Sequence, residues 1–131
     1  KRKCSLTDDE KSYIENKKIH EVVAFFKNEF MQNVIRKAKL IEKEKAFMMR
    51  DDNLQGRIIE GVIDCFIEGE DEIIVIDYKT NEIGRFDKRI RDLMEYYRPQ
   101  LELYKRACER GYNKPVSAYV YFTNVKIFCE V

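Results

Sequence analysis

Two aspartates and a lysine stand on neighbouring apolar stretches of this chain, and residues of those types at that spacing point to metal-assisted chemistry. Asp64 lies within Ile58–Ile67, and Asp77-Tyr78-Lys79 closes the run Ile73–Ile76. A β-branched apolar run of four, bounded by turn residues, reads as a strand buried on both faces. A buried carboxylate without a partner is costly and tends to take up a proton. Two of them, with a lysine two positions beyond the second, are most simply explained by a divalent cation. Asp77 and Lys79 sit at i and i+2 on a strand and so project from one face. A hairpin through Glu68-Gly69-Glu70-Asp71 brings Asp64 to the same spot. Mg²⁺ is commonly held by one or two carboxylates, with waters and a phosphate filling the remaining positions.

The flanking segments must position these groups. Ser5-Leu6-Thr7-Asp8-Asp9-Glu10 resembles a helix start. Ile19, Val22, Val23, Phe26, Phe30, Val34 and Ile35 then recur at helical spacing, which predicts one or two amphipathic helices to about Ala38, covering one face of a sheet. Leu40–Met49 reads as the first strand, with Glu44 on one face, followed by a turn at Asp51-Asp52-Asn53. Glu60 shares the parity of Asp64 and is expected to form a salt bridge with a neighbour. Thr80–Arg91 is a polar loop leading into a helix. A second helix is predicted from Pro99, a residue suited to the first helical position, to Arg110, with Gly111 as its stop. Gln100, Leu103, Tyr104, Ala107 and Cys108 share one face of it. A glutamine on an apolar stripe needs a hydrogen-bond partner. Val116–Phe122 and Lys126–Val131 read as a terminal hairpin whose inner strand joins the sheet.

With 131 residues, 44% hydrophobic and 37% charged, the chain has the balance of one soluble domain with a core of its own. No run approaches a membrane span and no signal-peptide pattern is present, so no membrane partner is expected. Cys4, Cys65, Cys108 and Cys129 are scattered, with no paired spacing, which argues against a zinc site or a disulfide framework and favours a cytoplasmic location. The net charge of +1 excludes a free-standing electrostatic DNA clamp. Residues 84–114 hold nine Lys/Arg against five acids, a balance that suits a solvated helix face and a phosphate-contacting one equally.

G-V-I-D at 61–64 followed by V-I-D-Y-K-T at 75–80 resembles the G-x-x-D … D-Y-K core of the PD-(D/E)xK nucleases. Y-R-P-Q-L-E-L-Y at 97–104 is similar to the Q-x-x-x-Y motif of their RecB-like branch, and the run from Glu44 to Val131 resembles the C-terminal nuclease domain of AddA-type (RexA-type) helicase–nuclease subunits. The resemblance implies an α/β fold of the restriction-endonuclease-like type, a mixed sheet flanked by helices. Residues 1–131 would form a single nuclease domain, helical over 1–40 and catalytic over 41–131, within a longer chain. It further implies Mg²⁺ or Mn²⁺ bound by Asp64, Asp77 and the Tyr78 carbonyl. Lys79 would orient or help deprotonate the attacking water, Gln100 would position Lys79 or that water, and Gln100 and Tyr104 would reach the DNA. The substrate would be DNA, fed as a single strand by an ATP-driven helicase outside these residues, and the partner would be an AddB-like (RexB-like) protein. RecB-like nucleases carry a metal-binding histidine on an upstream helix. His20 lacks the small-residue context of that histidine and reads as a partly exposed helical residue, which places the family's histidine before Lys1. Two other readings stay open: a stand-alone RecB-like exonuclease, and a degenerate nuclease fold used for DNA binding or subunit docking.

Overall fold

Ile73, Ile74, Val75 and Ile76 are buried on both faces because their strand is the middle one of five. The computed structural model describes residues 7–12, 24–51, 55–84 and 87–131. Its strands are β1 (Ala38–Asp51), β2 (Arg57–Gly69), β3 (Ile73–Lys79), β4 (Val116–Phe122) and β5 (Ile127–Glu130), in the sheet order β1-β2-β3-β4-β5. Neighbours are antiparallel except β3 and β4, which run parallel. A parallel pair needs a crossover connection, and the helix α2 (Arg89–Tyr112) supplies it. This is the mixed sheet flanked by helices that the resemblance implies.

The alternation of β3 divides the core in two. Ile73 and Val75 face α2, where Phe66, Leu101, Tyr104, Cys108, Ala118, Val120 and Phe122 join them. Ile74 and Ile76 face the helix α1 (Glu29–Lys37), packing with Phe25, Met31, Val34, Ile67 and Tyr121. Asn28 starts α1, its side chain accepting a hydrogen bond from the Phe30 N–H at 2.8 Å. The helical periodicity from Ile19 is therefore interrupted at Asn28; residues 13–23, with His20, lie outside the described residues. So do Asp52 and Asn53 of the expected turn, whereas Asp51 closes β1.

Two predicted boundaries are corrected. The helix expected from Pro99 begins at Arg89, and Pro99 lies in its interior. An interior proline removes one backbone hydrogen bond and crowds the preceding turn. Pro99 is exposed, however, so the unpaired carbonyl faces water, while Met94, Leu101, Tyr104 and Cys108 anchor the opposite face. The helix passes through Gly111 and stops at Asn113, whose left-handed φ of 54° lets its N–H reach the Glu109 carbonyl.

The ribbon of β1 and β2 switches faces midway. Lys43 lies over the Phe26 ring on the α1 side, yet Lys45 lies over Phe66 on the α2 side. Residues two apart on a regular strand share a face. Glu44 between them has φ of 53°, and the partners of Lys43 and Lys45 are Cys65 and Ile63, so Asp64 is the residue across from this irregularity. Glu44 itself is exposed.

Candidate active site

The site forms where β2 lets go of β3. Their ladder runs from Glu68↔Ile73 to Cys65↔Ile76, and the next pair in that register would be Asp64 opposite Asp77. β3 stays paired with β4 as far as Lys79↔Phe122. Asp77-Tyr78-Lys79 is thus fixed along one edge and vacated along the other. Asp64 fills the first vacancy with its side chain: its Oδ2 accepts a hydrogen bond from the Tyr78 N–H at 2.9 Å. The N–H and C=O of one residue point to the same edge of an extended strand, so the Tyr78 carbonyl also faces the side that β2 has left. The Tyr78 ring belongs to the other core, edge-on to Phe25 with centroids 5.1 Å apart.

Asp77 is only 4% exposed. Lys79 Nζ lies 2.8 Å from its Oδ2 as an ion pair, but outside hydrogen-bond geometry, so this buried oxygen has no hydrogen-bond donor among the described residues. Burial first, and then the neighbouring Asp64 carboxyl, push the Asp77 pKa up to about 6; Lys79 offsets part of this. A buried carboxylate oxygen left over by the protein's own donors is a place for a cation.

The ammonium of Lys79 is held on three sides. Besides Asp77, it donates to Gln100 Oε1 at 3.3 Å and sits 4.4 Å from the centre of the Tyr97 ring. An ammonium only donates, which fixes the amide of Gln100 with its carbonyl toward Lys79. Its Nε2 then donates to the Tyr104 hydroxyl at 2.9 Å. Tyr104 is 6% exposed, and burial followed by the charges of Asp77 and Asp64 raises its phenol pKa. The Tyr104 ring is thus buried, whereas Gln100, which is bonded to its hydroxyl, is exposed.

Two further residues support this arrangement. Phe47 meets Tyr104 edge-on at 5.3 Å and lies across the backbone of its strand partner Gly61. A Cβ on Gly61 would stand 2.5 and 2.7 Å from the Phe47 ring, so only glycine makes room for it. Tyr97, whose hydroxyl bonds the Asn81 Oδ1 at 3.0 Å, was not assigned a role from sequence, although its spacing of three and seven residues from Gln100 and Tyr104 puts all three on one helix face. Glu60 does not join the site; it is exposed, opposite Met48.

Asp64, Asp77, Tyr78, Lys79, Gln100 and Tyr104 are therefore brought together by two neighbouring strands and one helix face. A match to the PD-(D/E)XK nuclease superfamily covers residues 5–127. The chain belongs to that superfamily. It is 33% identical over 127 residues to an ATP-dependent helicase/nuclease subunit of Listeria innocua, a match covering 86% of this chain and 10% of that one. It is 37% identical over 114 residues to the protein of the same name in Bacillus cytotoxicus, covering 75% of this chain and 9% of the relative. The chain thus spans about a tenth of the length of these relatives. A crystallised candidate exonuclease from Eubacterium rectale superposes with a TM-score of 0.54 over 88% of this chain and 44% of its own, at 9% identity, a likeness of fold.

Nucleases of this superfamily generally use divalent metal ions. Among the described residues no group of three His, Cys, Asp or Glu side chains is placed to hold one. The oxygens gathered here are instead those of two carboxylates and a backbone carbonyl, hard atoms of the kind that would suit a divalent cation. The buried Asp77 oxygen, ion-paired with Lys79 but without a hydrogen-bond donor among the described residues, fits a cation. Among the described residues Cys65, Cys108 and Cys129 are free thiols, and Cys65 and Cys108 are buried. No helix of the described residues is long and apolar enough to cross a membrane.

Proposed function

We propose that this chain hydrolyses DNA phosphodiesters as the nuclease domain of a longer ATP-dependent helicase–nuclease. The observation that carries the reading is the buried, donorless oxygen of Asp77 set between Asp64 and Lys79. Asp64, Asp77 and the Tyr78 carbonyl would hold Mg²⁺ or Mn²⁺, which when bound neutralises charge on the phosphate and acidifies a water. Lys79 places a positive charge beside that phosphate, where it stabilises oxygens that become more negative in the transition state. Gln100 fixes the lysine from the helix side and, being exposed, meets the incoming strand. Tyr104 and Phe47 keep the Gln100 amide in place. In the longer protein, ATP would drive a helicase part that delivers a single strand, an AddB-like partner would complete the assembly, and the whole would work in the cytoplasm on broken DNA. The helicase/nuclease proteins it is similar to, each about ten times its length, support that setting.

The test is Mn²⁺ titration by calorimetry together with cleavage of labelled single-stranded DNA, wild type beside Asp77→Ala. Saturable metal binding and cleavage, both lost in a folded Asp77→Ala protein, are expected. Equal cleavage by the two proteins would overturn the reading.

A further inference from the structure

We infer that Tyr96 and the cavity beside it form a stacking subsite for one nucleobase of the strand being cut. The inference rests on the nuclease reading above, since its ligand is that strand. Tyr96 is 77% exposed, the most exposed large hydrophobic residue described. It stands next to the ring that caps the lysine: Tyr96 and Tyr97 meet edge to face at 5.3 Å, and Tyr97 lies 4.4 Å from Lys79 Nζ. Tyr96 is thus separated from the lysine by a single aromatic ring, a position at which a base neighbouring the scissile phosphate would meet it.

A cavity of about 500 Å³ opens at this ring, between α2 and the loop that follows β3. Ile83 and Leu93, both half-buried, give it apolar walls. Its polar rim is wrong for a phosphate. Among the described residues Glu82 and Asp92 line it with negative charge, and the one cation lining it, Arg89, is tied to both Asp87 oxygens and to the Glu82 carbonyl. An apolar slot beside an exposed aromatic ring, with acceptors at its edge, suits a flat uncharged ring carrying amino groups. Among the parts of a DNA strand, that describes a base and rejects the backbone. Stacking on an aromatic side chain is tolerant of sequence, because every base offers a π-face. The loop wall is held in place: Asn81 accepts from the Tyr97 hydroxyl through its side chain and from Asn124 Nδ2 through its carbonyl, both at 3.0 Å.

The experiment measures binding of the full chain, in EDTA, to a fluorescent single-stranded oligodeoxycytidylate, whose bases carry an amino group, and to the same oligonucleotide with abasic positions. Wild type and Tyr96→Phe are expected to bind the base-bearing strand more tightly. Tyr96→Ala is expected to lose roughly 5- to 150-fold on that strand, the equivalent of one stacked base, and to treat the two strands alike. A wild type that ignores the missing bases, that binds neither strand, or whose preference survives Tyr96→Ala, overturns the inference. Cleavage with Mn²⁺, run in parallel, keeps the readings apart. A wild type that cuts DNA but ignores its bases sinks the subsite alone, and one that prefers bases but never cuts sinks the nuclease reading.

Discussion

Replacing Asp77 by Asn is expected to stabilise the metal-free protein at neutral pH. Burial and the nearby Asp64 carboxyl move the Asp77 pKa from 3.8 in a free chain to about 6 in the fold. One unit corresponds to about 1.4 kcal/mol, so ionising this carboxyl costs the native state at most about 3 kcal/mol. Asp64 is half-buried and admits solvent to the pair, which lowers the figure to about 1–2 kcal/mol. The sign follows from the protons bound. Between pH 3.8 and about 6 the native state keeps a proton that the unfolded chain has released, so Asp77's contribution falls as pH rises through that window and is flat above it. Asn carries no such charge. Urea unfolding in EDTA, from about pH 4 to about pH 8, should therefore show Asp77→Asn gaining on wild type up to about pH 6 and holding its lead above. Mn²⁺ should reverse the order, since a ligand at 100 times its Kd stabilises the protein that binds it by about 2.7 kcal/mol. An Asn variant less stable than wild type at every pH in EDTA, or one that Mn²⁺ stabilises as much as wild type, would refute this account of Asp77.

Two other outcomes follow from the residues around Lys79. Gly61→Ala must displace the Phe47 ring from beneath Tyr104; overpacking of this kind costs about 1–3 kcal/mol, read as a drop in urea midpoint, and the smaller ring-free side chain of a Gly61→Ala/Phe47→Leu double variant should recover part of it. Additive losses in the double variant would show that the two positions do not meet as described. Tyr97→Leu should slow cleavage by about 2- to 30-fold, the kinetic equivalent of losing a cation–π contact of about 0.5–2 kcal/mol, while Tyr97→Phe keeps the ring and most of the rate. Equal rates for Leu and Phe would remove Tyr97 from the site.

What the sequence disclosed was whatever depends on short-range pattern. The four-residue β-branched run, the acidic turn and the parity of Asp77 with Lys79 are local, and β3 turns out as they foretell. The helix boundaries were not local. Pro99 reads as a start and Gly111 as a stop, yet a buried stripe from Met94 to Cys108 overrides the proline's preference, and Asn113 takes the left-handed position instead. The contact of Phe47 with Gly61 joins two strands across a ribbon, and the left-handed turn at Glu44 breaks the alternation by which a strand's facing is read from sequence. Tyr97 was visible as a letter of a motif, but its role over Lys79 depends on a distance between a helix and a strand end that no spacing states.

The site owes its chemistry to the point at which a sheet stops being a sheet. Had β2 paired with β3 for two more residues, the Tyr78 backbone would have been spent on the ladder and the Asp64 side chain turned elsewhere. The ladder ends at Cys65↔Ile76 instead, beside the irregularity at Glu44, and the freed edge receives a carboxylate. β4 meanwhile holds the other edge rigid to Lys79↔Phe122, so the vacated positions cannot collapse. Rigid backbone on one side and unsatisfied oxygen on the other is the condition for binding a hard cation without rearrangement. The frustration of Asp77 is in this sense a consequence of the sheet's order, and relieving it by mutation should strengthen the fold while abolishing what the fold is for.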